Sequence, residues 1–332
     1  MPERPIVYIS PGHMDPEYIL EREGLGPDVD LRVMAGPPRG WMDGTDVREA
    51  DAIMTWRTRI DAAAIEQLER CSLIVRLGVG YDIVDVEAAA RQGIPVANVP
   101  DYCTTEVADH TFALLLSLTR GLSAYVDSVK SDVGRWEFTS AGHLFRMTGK
   151  TLGIIGLGRI GTAVAMRGKA FGLDVAFYDP YARDGMERAL GLRRLALDDL
   201  LAQADFLTLH TPLTAETRGM VNAEFLGKVK RGVYLVNTSR GGVLDAVALE
   251  GALREGQVAA AGLDVMPTEP PDAELGLVHA WRAGEEWVRH RLLVTPHSAF
   301  YSEEGEVDMR VKATATVREV LDGLPARNVV NM

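Results

Sequence analysis

The sequence predicts an α/β protein of two domains, each built on a parallel β-sheet covered by helices. The chain has 332 residues, 47% of them hydrophobic, which is enough for two cores and long for one. Short apolar runs alternate with helical patterns along most of the chain, as parallel sheets require. A glycine-rich turn follows one central apolar run, which is typical of a doubly wound sheet.

The first series of strands and helices precedes Pro100. Apolar runs predict strands at 6–9, 29–33, 52–56, 73–77 and 95–99, and periodic patterns predict helices at 61–68 and 84–91. A helical segment at 104–130 then carries an apolar face that includes Phe112 and Leu115. Such a face is costly to leave in water, so we expect its partner to be another element or a second subunit, and this helix after Pro100 is our candidate for a homodimer interface.

The second series begins at Thr151, with predicted strands at 152–155, 175–178, 206–209, 234–236, 260–263 and 292–294. Six strands match two mononucleotide-binding halves. After Pro296 the main feature is one helical pattern at 303–321, too little for an independent core. We therefore expect that helix to pack on the first domain. This gives a discontinuous domain at 1–101 and 297–332, and a nucleotide domain at 102–296.

Charge and cysteine content narrow the function classes. A net charge of -12 disfavours nucleic acids and anionic membranes as partners, because both would be repelled. The two cysteines, Cys71 and Cys103, cannot supply a disulfide framework, and no histidine and cysteine group has zinc-like spacing, so no metal is predicted. The short apolar run at the start predicts neither a signal peptide nor a membrane anchor. We expect a soluble, cytoplasmic protein that acts on a small molecule.

A dinucleotide fingerprint, G-x-G-x-x-G, follows the predicted strand at 152–155. Gly156 permits a tight turn, Gly158 lets the backbone approach a pyrophosphate, and Gly161 lets the helix pack closely on the strand. The helix that starts at Arg159 and Ile160 presents free N–H groups to the anion. The pattern predicts a Rossmann nucleotide domain.

Asp179 indicates which dinucleotide binds. It ends the next predicted strand, where the fingerprint has a carboxylate for the ribose hydroxyls. A carboxylate bonds a 2'-hydroxyl and repels a 2'-phosphate, so NAD is favoured over NADP. Arg183 follows closely; it could accept a 2'-phosphate, cover the adenine, or be a solvated loop charge.

A set of motifs runs through the chain in a distinctive order. Besides the fingerprint, the set comprises Arg76-Leu77-Gly78-Val79-Gly80-Tyr81-Asp82, Asn98-Val99-Pro100, Leu209-His210-Thr211-Pro212-Leu213-Thr214, Asn237-Thr238-Ser239-Arg240-Gly241-Gly242, Leu263-Asp264-Val265 through Glu269-Pro270, and Thr295-Pro296-His297. In this set the chain resembles the D-isomer-specific 2-hydroxyacid dehydrogenases. Within that family, the segments at 177–181, 187–192 and 300–302 look most like the branch of the C-terminal-binding-protein corepressors and phosphoglycerate dehydrogenases. The resemblance implies a Rossmann domain plus a flavodoxin-like, discontinuous substrate domain.

The resemblance also implies a catalytic trio. Hydride transfer between a hydroxy acid and nicotinamide needs a proton-exchanging group and a cation that holds the substrate. By resemblance, His297 is the acid/base and Glu269 pairs with it, fixing its tautomer. Arg240 resembles the residue that binds the substrate carboxylate and carbonyl through its planar guanidinium. The implied substrate is a small 2-hydroxy or 2-keto acid.

Further contacts are implied in the same way. The N–H groups of Gly78, Val79 and Gly80 would hold the substrate carboxylate, with Asn98 and Phe300 nearby. Phe300 stands where the corepressor branch has a tryptophan, so that branch's substrate preference is not carried over. The cofactor would be contacted by the fingerprint residues, Asp179 and His297, together with Cys103, His210, Thr211, Pro212, Thr238, Ser239 and Asp264.

Several interpretations compete. An NAD-gated dimeric binding protein of the corepressor type is the main alternative to an enzyme, and the retained trio argues against it. Formate oxidation is disfavoured because those relatives carry glutamine where this chain has Glu269. The long segment from Glu269 to His297, with Trp281 and Trp287, is either a surface turn of helix or a lip over the substrate. By resemblance, Trp136 stands where family members reach toward the partner subunit's active site; it could equally anchor a core or an interface.

Overall fold

The structure is a computed structural model that describes residues 4–12, 15–36, 40–41 and 45–332. His13, for which the sequence predicts a structural or surface role, lies outside the described residues. The chain divides into two compact units. Unit 1 comprises Met1–Cys103 and Tyr301–Met332, and unit 2 comprises Thr104–Phe300. Both units are α/β, so the predicted class is confirmed.

Unit 1 contains a parallel sheet of five strands in the order β2-β1-β4-β6-β7, the flavodoxin-like order. Its elements are β1 (Ile6–Ile9), α1 (Ile19–Leu25), β2 (Asp30–Val33), β3 (Gly40–Trp41), β4 (Ala52–Thr55), β5 (Thr58–Arg59), α2 (Ala62–Ile65), β6 (Leu73–Arg76), α3 (Val86–Arg91), β7 (Val96–Asn98) and α12 (Glu303–Leu321). β3 and β5 form a separate small pair.

The last helix, α12, belongs to unit 1 together with the first part of the chain. It packs on α1, and Arg310 from α12 reaches both carboxylate oxygens of Glu21 at 2.7 Å. Both side chains are almost fully buried. A buried pair with good geometry compensates its own desolvation, whereas either charge alone would be strongly destabilising. Ser302 caps the helix by accepting a hydrogen bond from the Gly305 N–H.

Unit 2 contains a parallel sheet of seven strands in the order β10-β9-β8-β11-β12-β13-β14. Its elements are α4 (Thr104–Thr119), α5 (Leu122–Ser131), a 3-10 turn (Phe138–Ala141), β8 (Thr151–Ile155), α6 (Arg159–Ala170), β9 (Asp174–Tyr178), α7 (Met186–Leu190), β10 (Arg193–Arg194), α8 (Leu197–Gln203), β11 (Phe206–Leu209), α9 (Ala223–Lys228), β12 (Val233–Asn237), a second 3-10 turn (Gly241–Val243), α10 (Ala246–Arg254), β13 (Val258–Leu263), α11 (Gly276–Ala283) and β14 (Leu292–Val294). Six strands were predicted. The seventh, β10, has only two residues, both arginines, and gives no apolar signal.

The helix predicted at 104–130 is two helices. Gly121, with a φ of 61°, separates α4 from α5, because a left-handed residue ends an α-helix. The apolar face of α4 is already buried inside unit 2, with Phe112 and Leu115 at most 4% exposed. The apolar face of α4 is therefore covered by other elements of unit 2, and the argument that it needs a second subunit to cover it is wrong. Large apolar side chains that are exposed to solvent follow in the sequence, on α5 and at 133–138.

The segment between Glu269 and His297 forms α11 and packs against α10. Trp281 and Trp287 contact the hydrophobic cluster that α10 and the sheet share. The guanidinium carbon of Arg254 lies 3.9 Å from the centroid of the Trp287 ring, a cation–π contact. The interpretation as a surface turn that packs its tryptophans is thus confirmed. Across the described ranges, no helix combines the length and apolar character needed to cross a membrane.

Candidate active site

The predicted trio follows three neighbouring strands of unit 2. Arg240 follows β12, Glu269 follows β13 and His297 follows β14. Adjacent parallel strands lie about 5 Å apart and their carboxyl ends share one edge, where α/β sheets bind ligands. Two backbone hydrogen bonds link the three loops: His297 N–H to the Asp264 carbonyl at 2.8 Å, and Asp264 N–H to the Asn237 carbonyl at 2.9 Å.

His297 and Glu269 form a direct pair. Nδ1 of His297 lies 2.7 Å from Oε2 of Glu269, and the side chains are 31% and 26% exposed. An ionised carboxylate only accepts, so Nδ1 carries the hydrogen and Nε2 is the atom left for another partner. The ring of Phe300 meets the imidazole edge to face, with centroids 6.3 Å apart.

Asp264 holds the loop that carries His297. Its carboxylate accepts hydrogen bonds from the Ser298 and Ala299 N–H groups at 2.9 and 3.0 Å, and from the Thr295 hydroxyl at 2.7 Å. These bonds place residues 297–300 in unit 2, whereas the sequence assigned them to the other domain. Asp264 is 2% exposed. Asp264 therefore stabilises the loop that carries His297, while its predicted contact with nicotinamide stays a prediction.

The Arg240 loop is organised by the buried side chain of Asn237. Its oxygen accepts from the backbone N–H and the hydroxyl of Ser239, and its amide donates to the Arg240 carbonyl at 3.0 Å. Thr238 is tied to α4, because its hydroxyl lies 2.9 Å from that of Thr111. The Arg240 guanidinium donates to the Ser239 carbonyl at 2.8 Å. These bonds set the direction in which the chain leaves β12.

The glycine turn has the tight geometry that the fingerprint predicts. Gly156 has a φ of 92°, in the left-handed region that favours glycine. A Cβ at Gly161 would lie 2.0 Å from the Gly156 carbonyl oxygen, so only glycine lets α6 approach β8 this closely. Around Gly158, no described atom lies within 4 Å of the Cβ position. The Asp179 carboxylate accepts from the N–H groups of Leu157 and Tyr181, both at 2.8 Å.

This unit fits NAD. At the start of α6 (Arg159, Ile160), no described side chain caps the helix, so its N–H groups can bind a pyrophosphate. Both ring nitrogens of His210 and the Thr211 hydroxyl are buried without a hydrogen-bond partner among the described residues, which suits a ligand that supplies one. Burial lowers the pKa of His210 to about 3, so this imidazole is neutral. Pro212 continues the same turn.

The remaining predicted site residues belong to unit 1. The Asn98 amide donates to the Val79 carbonyl at 2.7 Å, and the Val99 N–H donates to the Gly78 carbonyl. Asn98 thus supports the turn that contains Gly80. Gly78 has a φ of 133°, a conformation that side chains with a Cβ rarely adopt, so the turn favours glycine there. Cys103 is buried at the last residue of the first segment of unit 1.

Comparison with known proteins decides the family. Residues 112–299 match the family described as D-isomer specific 2-hydroxyacid dehydrogenase, NAD binding domain. The chain belongs to this family. Unit 2 contains its NAD-binding domain, as the glycine turn and Asp179 predict.

Relatives in the family act on several acids. The chain is 38% identical over 310 residues to D-3-phosphoglycerate dehydrogenase of Mycobacterium leprae, covering 93% of this chain and 56% of the relative. It thus spans about half the length of the curated relatives it matches. A glyoxylate reductase from Paecilomyes thermophila superposes with a TM-score of 0.84 at 28% identity, covering 99% of both chains. D-Lactate dehydrogenase from Aquifex aeolicus, complexed with NAD and lactic acid, gives 0.81 at 29% identity, covering 96% of both.

Sequence reasoning missed residues that support the site from a distance. His110, which belongs to none of the motifs quoted from the sequence, lies on α4 with Nε2 3.0 Å from the Thr295 hydroxyl. Thr111 belongs to no quoted motif either, and Asn237 was quoted only as part of a motif, without a role of its own. One signal was present: residues 107, 110, 111, 114 and 118 follow helical spacing, which puts His110 beside the buried face.

Proposed function

We propose that this chain is an NAD-dependent oxidoreductase that interconverts a small D-2-hydroxy acid and its 2-keto acid. The observation that carries the proposal is the 2.7 Å pair of His297 and Glu269, at the sheet edge where Arg240 also emerges. A carboxylate-braced imidazole beside a guanidinium suits a reaction that moves a proton at an oxygen next to a carboxylate.

Each residue has a distinct task. NAD supplies the hydride acceptor when bound. Because Nδ1 of His297 donates to Glu269, Nε2 takes the hydroxyl proton during oxidation and returns it during reduction. Glu269 stabilises the positive charge that develops on the ring. Arg240 holds the substrate carboxylate and polarises the carbonyl oxygen.

The substrate-binding and cofactor contacts are also proposals. The N–H groups of the turn at Gly78, Val79 and Gly80 would bind the carboxylate, while Phe300 would border the substrate side chain through its contact with the His297 ring. Asp179, with two oxygens facing backbone N–H groups, favours NAD over NADP. The small acids bound or reduced by the structural neighbours, lactate and glyoxylate, support a compact substrate.

We further propose a homodimer formed through α5 and the segment that follows it. Leu122 and Val126 on α5 are half exposed, and Val133, Trp136 and Phe138 are about 80% exposed. An apolar surface of this kind is unusual on a monomer. Size-exclusion chromatography with light scattering should give twice the chain mass, and Trp136→Ala with Phe138→Ser should shift the protein toward monomer. The cytoplasmic location expected from the sequence stays a prediction.

The decisive experiment is a panel of 2-keto acids with NADH, followed by absorbance. Turnover of at least one acid is expected, with His297→Ala lowering kcat by about 10³-fold and Arg240→Ala raising KM and lowering kcat together. Absence of turnover across the panel would contradict the proposal. A tightly bound peptide partner in that case would favour the NAD-gated binding protein.

A further inference from the structure

His110 is joined to the His297 loop by a line of hydrogen bonds. Its Nε2 lies 3.0 Å from the Thr295 hydroxyl oxygen, and that hydroxyl donates to the Asp264 carboxylate at 2.7 Å. A hydroxyl has one hydrogen. Since Thr295 gives its hydrogen to a carboxylate, it must accept from His110, so the hydrogen of the His110 ring is on Nε2. The direction of donation runs from His110 through Thr295 to Asp264.

Asp264 is where this line meets the loop of the proposed acid/base. Its carboxylate accepts from the Ser298 and Ala299 N–H groups, and its carbonyl accepts from the His297 N–H. His297 itself has a φ of 54°, a conformation that costs a non-glycine residue about 1 kcal/mol or more and persists only when its surroundings hold it. A change in the orientation of Asp264 therefore reaches the His297 backbone directly.

We propose that His110 is a positioning residue that orients His297 through Thr295 and Asp264. The proposal rests on the proposed role of His297 as acid/base. His110 does not exchange a proton with substrate; it fixes the Thr295 hydroxyl so that Asp264 keeps its bonds to the loop. Loss of the His110 contact lets Thr295 rotate away, and the imidazole then spends less time aligned with the reacting oxygen. The rate of the proton-coupled step falls, while substrate binding by Arg240 is preserved.

The kinetic test uses variants that separate the hydrogen bond from the space it occupies. His110→Ala and Thr295→Val remove the bond, while His110→Gln and Thr295→Ser keep a donor and a hydroxyl. His279, exposed on α11, supplies the matched control His279→Ala. We expect His110→Ala and Thr295→Val each to lower kcat about 10-fold with KM changed by less than about 2-fold. Gln and Ser should recover kcat to within about 3-fold of wild type.

The double variant His110→Ala/Thr295→Val tests whether the two residues act as one unit. If they do, its kcat matches the lower of the two single variants. Losses that multiply, a KM effect without a kcat effect, or a His110→Ala enzyme as active as His279→Ala would overturn the proposal. Circular dichroism and the midpoint of thermal unfolding identify variants that have lost the fold. If His110→Ala does not fold, the comparison of kcat between Thr295→Val and Thr295→Ser decides.

A second readout does not depend on turnover. In ¹⁵N-labelled protein, the Nδ1–H resonance of His297 is assigned by its loss in His297→Ala. We expect this resonance to shift and to exchange faster with water in His110→Ala and to be unchanged in His279→Ala. An unchanged resonance in His110→Ala contradicts the positioning role. Wild-type protein that turns over no keto acid contradicts the proposed function, and the resonance still decides about His110.

Discussion

Replacing Glu269 with glutamine tests how much of the proposed catalysis depends on the charge beside His297. The substitution keeps the size of the side chain and an oxygen that can accept from Nδ1, but removes the negative charge 2.7 Å from the ring. The backbone of His297 is held by Asp264, but the other oxygen of Glu269 accepts from the Met266 N–H at 3.3 Å, and the amide NH2 of glutamine cannot accept that bond. The variant therefore removes the charge together with one long backbone hydrogen bond.

The size of the effect follows from the geometry. A hydrogen bond to a charged group contributes about 1.5–3 kcal/mol, and the partial exposure of both side chains, 31% and 26%, favours the lower end. The charge matters fully only when the ring is protonated, which is the state that delivers a proton during reduction. About 1.5–2 kcal/mol in the barrier corresponds to roughly a 10- to 30-fold loss of kcat for keto-acid reduction.

The assay is NADH oxidation at saturating cofactor with the best acid of the panel. Glu269→Gln should lower kcat by that factor with little change in KM, and Glu269→Ala should lower it further because the ring also loses its orientation. Glu286→Gln is the matched control, since Glu286 is an exposed carboxylate on the same connecting segment. A Glu269→Gln enzyme whose kcat stays within about twofold of wild type would refute the reasoning.

Three further predictions concern cofactor choice, stability and thiol chemistry. Asp179→Ser removes the charge that repels a 2'-phosphate, so the preference for NADH over NADPH in kcat/KM should fall at least about 10-fold; an unchanged ratio would contradict the assignment. Arg310→Met leaves Glu21 buried without its partner and should lower the free energy of unfolding, measured with urea, by about 3–5 kcal/mol. Adding Glu21→Gln removes the buried charge and should restore part of that stability; a double variant that is no more stable than Arg310→Met would contradict this explanation. Burial raises the pKa of the Cys71 thiol to about 12, so little thiolate is present at pH 8, and Cys103 is buried. A maleimide should therefore label the folded chain far more slowly than the unfolded chain by mass spectrometry, and equal rates would contradict this prediction.

Local patterns predicted the fold well where one element provides its own signal. The strands at 206–209 and 292–294 and the helix at 303–321 begin and end as predicted. The end of α4 before Gly121 and the two-residue strand β10 were not predicted. A single glycine in an apolar pattern and a pair of arginines leave the periodicity unchanged. Helix α1 follows Tyr18 at a φ of 55°, and the N–H of its first residue, Ile19, donates to the carboxylate of Asp15 four positions earlier, which is not the spacing by which a helix start is recognised.

The site, like the fold, was predicted where a local motif carries the signal and was missed where it depends on distant contacts. The pairing of His297 with Glu269 was predicted because ordered motifs identify both residues. The supports were not, because they are contacts between distant parts of the chain: His110 and Thr295 are 185 positions apart, and Thr111 and Thr238 are 127 apart. No local pattern encodes a hydrogen bond over such a separation. A histidine on the buried side of an apolar helix indicates only that a partner exists.

One glycine explains why the loops of the proposed trio converge. A Cβ at Gly241 would lie 1.9 Å from the carbonyl oxygen of Met266, so the backbone directly after Arg240 approaches the chain that leads to Glu269 without any side chain between them. Met266 in turn donates its N–H to the Glu269 carboxylate at 3.3 Å. The loop that carries Arg240 thus packs directly on the backbone of Met266, which also binds the carboxylate of Glu269. A methyl group at this point would push the backbone after Arg240 away from the chain that leads to Glu269, although all three side chains of the proposed trio would still be present. The arrangement therefore depends on close backbone contact as much as on the three charged groups.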